Sequence, residues 1–198
     1  MSKYVIGIDE AGRGPLAGPV AVGVVLIEAD FDWGLLAGVN DSKKLSEKKR
    51  EEIFEEAGRL KVASQLDYSV TMVSAKVIDR VGIVGAINLA MTRGLGKVLK
   101  DFTKPANCQV LLDGSLRAPV EFIDQETIIK GDQKERVIGL ASIMAKVTRD
   151  RYMVRKSQEA IFAPYNFAKH KGYGTRTHCE AIKKHGLSTI HRKTFGHG

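Results

Sequence analysis

Hydrophobic and polar residues along the chain follow two patterns, and together these patterns predict a mixed fold. Apolar runs at 3–9 and 20–27 are typical of two adjacent strands, and the partly alternating stretch 62–71 predicts a third strand. Shorter apolar runs at 110–113 and 127–129 predict two more. We therefore expect five strands.

Apolar residues with helical spacing occupy the stretches between these strands. Ser46 and Ser74 are each suited to cap a helix. The first helix should bury one face, made of Ile53, Phe54, Ala57 and Leu60. The second, weakened by Gly82 and Gly85, should bury Val77, Val81, Val84, Met91, Leu95 and Val98. A third is expected at 134–151, burying Val137, Ala141, Met144 and Val147. The order of elements predicts an α/β or α+β domain, with a mixed sheet covered by helices.

Composition adds that the chain is of the ordinary soluble type. Its 198 residues are 43% hydrophobic and 27% charged, enough for one substantial core. The apolar runs are too short to span a membrane, and the start Met-Ser-Lys-Tyr lacks the features of a secretory signal. We expect an intracellular, cytoplasmic monomer with no membrane partner. Cys108 and Cys179 have no metal-binding spacing, so we expect buried or half-buried thiols.

Charge is distributed unevenly along the chain. Residues 1–129 carry 16 basic and 18 acidic side chains, whereas residues 130–198 carry 15 basic and 5 acidic ones. A net charge of +10 on the second part favours a polyanionic partner, most simply nucleic acid, over a merely solubilising surface.

The first predicted strand ends in two adjacent carboxylates, Asp9 and Glu10, followed by a glycine turn containing Gly12, Arg13 and Gly14. Such a pair is often only surface before a turn, but hard oxygen ligands beside exposed amides also suit a divalent metal together with a phosphate or sugar. A phosphate loop of the nucleotide-binding type is disfavoured because no lysine or hydroxyl follows and the next segment predicts a strand.

Two further acids have positions that fit the same site. Asp113 ends the fourth predicted strand, and if that strand lies parallel to the first, Asp113 and Asp9 converge at one edge of the sheet. Taken alone, Asp113-Gly114 is also a common turn signal. Asp132 precedes the third helix, where it could equally be a capping residue. Asp41 and Asp150 are additional acids of lower rank.

Six short motifs resemble the type 2 ribonuclease H family, specifically its bacterial ribonuclease HII branch, nearly from end to end. They are Gly7–Pro19, Asp41–Ser46, Leu112–Gly114, Lys130–Asp132, Ala141–Asp150 and Gly172–Thr175, with Ser188–Phe195 resembling the bacterial C-terminal signature. The clearest departure from the family pattern is Gly82, at a position where an asparagine is expected.

The resemblance implies a ribonuclease H-like mixed sheet flanked by helices, with a catalytic domain at 1–160 and a small helical substrate-binding region at 161–198. It implies an endonuclease that cuts the RNA strand of RNA–DNA hybrid duplexes. It also implies cutting on the 5′ side of single ribonucleotides embedded in duplex DNA, leaving 3′-hydroxyl and 5′-phosphate ends. The family's four catalytic, metal-binding acids correspond to Asp9, Glu10, Asp113 and Asp132.

The chemistry of phosphodiester hydrolysis gives the four acids an independent rationale. Two divalent ions, Mg²⁺ or Mn²⁺, can activate water and stabilise the leaving oxygen, and carboxylates are suitable ligands for both. Without metal, mutual repulsion should raise the pKa of at least one carboxyl group, so metal occupancy should weaken in acid.

Substrate recognition requires a group that reads the ribose 2′-hydroxyl. Gly12 and Gly14 allow close approach of the backbone, Arg13 can bind phosphate, and the resemblance places Tyr173 against the deoxyribose next to the junction. From sequence alone, a partly buried core position fits Tyr173 equally well. Other expected substrate contacts are Ser42, Lys43, Lys44, Lys130, Ser142 and Lys146. The late histidines are expected to be structural or surface residues.

Two other functions are compatible with parts of the pattern. A non-catalytic module could bind duplex backbones through the basic half of the chain, with binding that depends on salt and ignores Mg²⁺. A nucleotide hydrolase built on Gly7–Gly14 would turn over ATP or GTP.

Overall fold

A five-stranded mixed sheet forms the centre of the protein, which we describe from a computed structural model covering residues 2–39, 45–99 and 103–196. The strands are β1 (Tyr4–Ala11), β2 (Val20–Glu28), β3 (Asp67–Val73), β4 (Cys108–Asp113) and β5 (Gln125–Ile128). Their order across the sheet is β3-β2-β1-β4-β5. β2 is antiparallel to both β1 and β3, while β1, β4 and β5 are mutually parallel. The predicted mixed sheet with an antiparallel part is confirmed.

Helices cover both faces of this sheet. They are α1 (Glu47–Val62), α2 (Ala75–Val98), α3 (Gly131–Lys134), α4 (Arg136–Ser157), α5 (Phe167–His170) and α6 (Arg176–His185), with 3₁₀ turns at Trp33–Leu36, Pro105–Asn107 and Ala160–Tyr165. On one face, α2 packs on alternate residues of β1 and β2, including Ile6, Ile8 and Val22. On the other face, α1 and α4 pack on the intervening residues, such as Val25. The period of two in the strands thus builds two separate cores.

Helix α4 lies unusually close to the sheet, and this position carries several candidate site residues. A Cβ atom at Gly7 would lie 2.3 Å from the carbonyl oxygen of Val137, and one at Gly23 would lie 2.2 Å from that of Ala141. Only glycine fits at these two strand positions. All four α4 residues predicted to point inward are buried, from Val137 to Val147.

Three local predictions need correction. The third strand begins at Asp67 rather than at 62, because α1 continues through Val62. The predicted stripe on α2 is wrong at Val81 and Val84, which are 45% and 56% exposed. Gly82, which lies between them, has a φ of 74° and a ψ of 164° that interrupt the helix and break the periodicity on which the stripe depends. That backbone conformation is nearly restricted to glycine. Ile78, Ala86 and Ile87 are buried instead.

The C-terminal residues form a small helical region with its own apolar cluster. Phe162, Tyr165, Phe167 and Ile182 pack together with Met153 of α4 and Ala17. Ala17 belongs to the loop between β1 and β2, Gly12–Pro19, which we call the β1–β2 loop. Cys108 is buried and Cys179 half-buried, as expected. In the described part of the chain, no helix has the length and apolar character needed to cross a membrane.

Candidate active site and nucleic-acid interface

The four predicted acids lie at the carboxyl ends of the three parallel strands. Paired residues of β1 and β4 run up to Ile8 and Leu112, so Asp9 and Asp113 follow at the same level. β5 pairs Ile128 with Asp113, and the chain then turns through Gly131 into Asp132. Sheet register therefore brings residues that are distant in sequence to one edge.

Asp9 is the most strongly perturbed of these acids. It is only 5% exposed, and burial raises the pKa of its carboxyl group to about 8. A hydrogen bond from Ser142 of α4 opposes the rise, whereas the negative charges of Asp113 and Glu10 add to it. The structure thus places Asp113 and Glu10 within electrostatic reach of Asp9, as expected for neighbouring carboxylates.

Each of these carboxylates is also engaged with the protein itself. Asp9 Oδ1 accepts a hydrogen bond from the amide of Glu10 (2.7 Å), and Asp113 Oδ1 accepts one from the amide of Gly131 (2.7 Å). Glu10 Oε1 accepts one from Arg13 Nη1 (3.1 Å). Asp132 is 1% exposed and lies beside Gly131 in α3, so it does not cap α4, whose N-cap is Glu135.

A closed metal cage is not preformed by these residues. Across residues 2–39, 45–99 and 103–196, no group of three or more histidine, cysteine, aspartate or glutamate side chains is arranged to hold a metal ion. The donor set nevertheless fits a hard divalent cation, because it consists of oxygens and includes a buried carboxyl group whose ionisation a cation would favour.

A cavity of about 410 Å³ has one of the acids, Glu10, in its wall and collects most of the predicted substrate contacts. Its walls include Glu10, Gly12, Arg13, Gly14, Ser142, Lys146 and Tyr173. Arg50 of α1, which sequence reasoning did not single out, also lines it. A larger cavity of about 590 Å³ lies at the opposite end of the sheet, near Tyr4 and Asp67, and contains none of the predicted site residues.

Tyr173 is 43% exposed, which excludes the buried core position considered for it. Lys146 Nζ lies 5.9 Å and Arg149 Cζ lies 5.8 Å from the centre of its ring. Its main chain is fixed by the amide of Thr175 (2.8 Å) and by His178 Nδ1 (2.9 Å), both hydrogen-bonded to its carbonyl oxygen. An exposed aromatic ring on a fixed backbone is suited to contact a sugar or base.

The remaining predicted contacts are placed less closely. Lys130 is exposed, in a left-handed conformation before α3, and is not among the cavity walls. Lys146 forms an ion pair with Asp150 (2.8 Å), which gives that additional acid a partner. Ser42, Lys43 and Lys44 lie outside the described residues, as does Asp41.

Buried histidines form a structural group behind Tyr173. His178 Nε2 and His191 Nε2 are 3.0 Å apart, and His170 stacks on His178 with 4.4 Å between ring centres. His191 Nδ1 accepts a hydrogen bond from the amide of Ser188 (2.8 Å). These rings connect the C-terminal segment to the Tyr173 backbone, which agrees with the structural role expected for them.

Two buried arginines were missed by sequence reasoning. Arg149 and Arg192 are both fully buried and hydrogen-bond to the main chain of the β1–β2 loop. Arginine is almost always assigned to the surface from sequence, so the only signals were the motifs that contain them, Ala141–Asp150 for Arg149 and Ser188–Phe195 for Arg192.

Comparison with known proteins identifies close relatives along the whole chain. A family model described as Ribonuclease HII matches residues 6–197. A ribonuclease HII from Endomicrobium trichonymphae is 47% identical over 191 residues, covering 96% of this chain and 84% of the relative. The structure of the PCNA:RNase HII complex from Archaeoglobus fulgidus has a TM-score of 0.73 at 25% identity, covering 98% of this chain and 95% of that one. Bst-RNase HIII in complex with Mn²⁺ shares the fold, with a TM-score of 0.70 at 17% identity over 99% of this chain and 68% of the other.

Proposed function

The chain belongs to the ribonuclease HII family, and from this premise we propose which residues perform the family's reaction and how. It is a metal-dependent endonuclease that hydrolyses the RNA strand of RNA–DNA hybrids and removes ribonucleotides from DNA. We place the cut on the 5′ side of a single ribonucleotide, leaving 3′-hydroxyl and 5′-phosphate ends. The observation that supports the site assignment is the parallel register of β1 and β4, which brings Asp9 level with Asp113, with Asp132 four residues beyond the end of β5.

Asp9, Glu10, Asp113 and Asp132 are the residues that would hold two divalent ions, Mg²⁺ or Mn²⁺. When bound, such ions supply an activated water and stabilise the charge that develops on the leaving oxygen. The raised pKa of Asp9 supports this assignment, because a buried carboxyl group beside two others is a poor structural choice unless a cation neutralises it. Arg13 pairs with Oε1 of Glu10, which places its guanidinium beside the acids, where it would contact a phosphate.

The cavity beside the acids would receive the ribose and its flanking phosphates. Gly12, Arg13 and Gly14 would contact the ribose 2′-hydroxyl and the scissile region, and Tyr173 would pack on the next sugar. Ser142 and Lys146 of α4 would contact phosphates, with Lys130, Ser42, Lys43 and Lys44 extending the track. Residues 161–198 serve as a substrate-binding region attached to a catalytic domain at 1–160, and the +10 charge of residues 130–198 favours this placement.

Family membership decides between this enzyme and the two alternative functions. A non-catalytic binding module does not fit a member of a nuclease family. A nucleotide hydrolase built on Gly7–Gly14 would need a helix after the loop, but Val20–Glu28 form strand β2.

A cleavage assay tests the proposal directly. The protein is incubated with Mg²⁺ or Mn²⁺ and an end-labelled DNA duplex that carries one ribonucleotide, beside all-DNA and all-RNA duplexes of the same sequence. We expect a single nick on the 5′ side of the ribonucleotide and none in the all-DNA duplex. Equal cutting of the all-DNA duplex, or no cutting with either metal, would contradict the proposal.

A further inference from the structure

Two guanidinium groups support the β1–β2 loop from the interior of the protein. Arg192 donates four hydrogen bonds to loop carbonyl oxygens, those of Gly12 (2.5 Å), Arg13 (2.9 Å), Gly18 (3.0 Å) and Pro19 (3.1 Å). Arg149 of α4 donates to the carbonyl oxygens of Pro19 (2.9 Å) and Ala17 (3.1 Å). Five carbonyl groups of one short loop are therefore held by two side chains that solvent does not reach.

This arrangement is electrostatically unfavourable for the protein alone. Burial lowers the pKa of Arg192 to about 9, and the positive charge of Arg149 contributes to the same shift. Arg149 Nη1 is buried and has no hydrogen-bond partner in the described part of the chain. Burying like charges together costs free energy. A neutral side chain could tie down a loop without that cost, so the positive charge calls for a role beyond packing.

The geometry of the peptide unit suggests what that role is. In a trans peptide the C=O and the following N–H point in opposite directions. Because the carbonyl oxygens of Gly12 and Arg13 point at Arg192, the N–H groups of Arg13 and Gly14 point away from it. Arg13 and Gly14 are exposed and line the cavity beside the acids. Positive charge behind a carbonyl also polarises its peptide unit, which strengthens the N–H as a donor.

We propose that Arg192 is a positioning residue for ribonucleotide recognition, which directs the amides of Arg13 and Gly14 toward the sugar and phosphate oxygens of the RNA–DNA junction. The inference rests on the recognition role proposed above for the β1–β2 loop. The enzyme's ability to distinguish ribose from deoxyribose then depends on Arg192, although Arg192 itself does not contact the substrate.

Neighbouring contacts hold Arg192 itself in place. Its amide donates to the carbonyl oxygen of Leu16 (2.8 Å), and its guanidinium lies 4.9 Å from the centre of the Phe195 ring. Asp79 of α2 then accepts hydrogen bonds from the amides of Lys193 (3.0 Å) and Thr194 (3.0 Å). Asp79 is therefore a half-buried position through which the segment can be loosened without altering Arg192 itself.

The test measures discrimination rather than activity. In an Asp113→Asn background, which prevents cleavage, the Kd is measured by fluorescence anisotropy with Mg²⁺ for a duplex carrying one ribonucleotide and for the matched all-DNA duplex. Arg192→Lys keeps the charge but loses the planar fork. We expect the ratio of the two Kd values to fall about tenfold, the equivalent of one or two hydrogen bonds. The all-DNA Kd should stay within about twofold, since phosphate contacts remain.

Controls separate this role from a purely structural one. Arg59→Lys, at an arginine on α1 far from the loop whose side chain is 72% exposed, should leave the ratio unchanged. If thermal unfolding shows that Arg192→Lys does not fold, Asp79→Asn replaces it, and the ratio should fall by about threefold, the loss of part of one hydrogen bond. An unchanged ratio in a folded Arg192→Lys or Asp79→Asn protein overturns the inference. A parent protein without any preference for the ribonucleotide would instead overturn the recognition role of the loop itself.

Discussion

The acids and the β1–β2 loop lie side by side at one end of the sheet, but the chain positions them in different ways. Asp9 and Asp113 are placed by the register of two hydrogen-bonded strands. The loop is placed by side chains that reach it from 130 to 180 residues away, mainly those of Arg149 and Arg192. The first mechanism is local to the sheet, whereas the second depends on the completed tertiary structure. We infer that substitutions can impair cleavage and ribonucleotide recognition separately.

The largest difference between the effect on cleavage and the effect on binding is expected from substitutions of the acids. Asp113→Asn or Asp9→Asn should reduce cleavage of the single-ribonucleotide duplex by about 10³-fold or more, the scale expected when a group that stabilises the transition state is lost. Duplex affinity should be largely kept in both variants, and thermal stability should be largely kept in Asp113→Asn, because asparagine preserves size. Single-turnover cleavage and anisotropy measure the two quantities. Wild-type cleavage by Asp113→Asn would show that the site assignment is wrong.

The folding stability should also depend on pH through Asp9, in a way that it does not through the β1–β2 loop. Without metal, the pKa of Asp9 is raised from its ordinary value of 3.8 to about 8, so ionising Asp9 costs folding free energy as the pH rises through this range. Asp9→Asn should therefore gain stability over the parent between pH 4 and pH 8, by on the order of a few kcal/mol. Urea unfolding without metal measures this difference in unfolding free energy between Asp9→Asn and the parent, and Mg²⁺ should narrow the difference. A gap independent of pH would contradict the assignment.

On the loop side, Gly12→Ala should disturb folding and recognition together. A Cβ atom there would lie 2.0 Å from Arg149 Nε, and the backbone φ of +86° is unfavourable for alanine. We expect a loss of about 2–3 kcal/mol in unfolding free energy, with weaker preference for the ribonucleotide. Gly14→Ala is the matched control for stability, since its Cβ would meet nothing within 4 Å, and it should stay within about 0.5 kcal/mol of the parent. Equal stability of the two variants would refute the packing of Arg149 under Gly12.

The smallest effect is expected at Lys146, a predicted phosphate contact that lines the cavity. Lys146→Gln should weaken binding to all duplexes by a similar factor and lower the salt dependence of log Kd by about one unit. Lys61→Gln, which removes a lysine paired with Asp67 at the opposite end of the sheet, should leave this slope unchanged. Anisotropy titrations at several salt concentrations measure both variants. An unchanged slope for Lys146→Gln would show that this lysine does not contact a substrate phosphate.

The same contrast explains what could be read from sequence. Apolar runs before Asp9 and Asp113 predicted both strands, and the two acids were expected to converge if the strands paired in parallel, which they do. The face of α2 was predicted wrongly, because periodicity assumes a continuous helix and Gly82 interrupts it. Arg149 and Arg192 could not be predicted as buried, since a long-range partner is what makes burial of an arginine tolerable. The sequence therefore revealed the chemical half of the site better than the recognition half.

The separation along the chain of Arg192 from the carbonyl groups it holds, 173 to 180 residues, has a consequence for the order of folding. Bringing such distant segments together carries a large loop-closure entropy and is characteristic of late events. Strand pairing between β1 and β2 needs only a short connection and can precede it. During refolding, amide protons of β1 and β2 should thus become protected from solvent exchange before the guanidinium of Arg192 reaches Gly12. A newly folding molecule therefore pairs its first two strands before it acquires its selectivity.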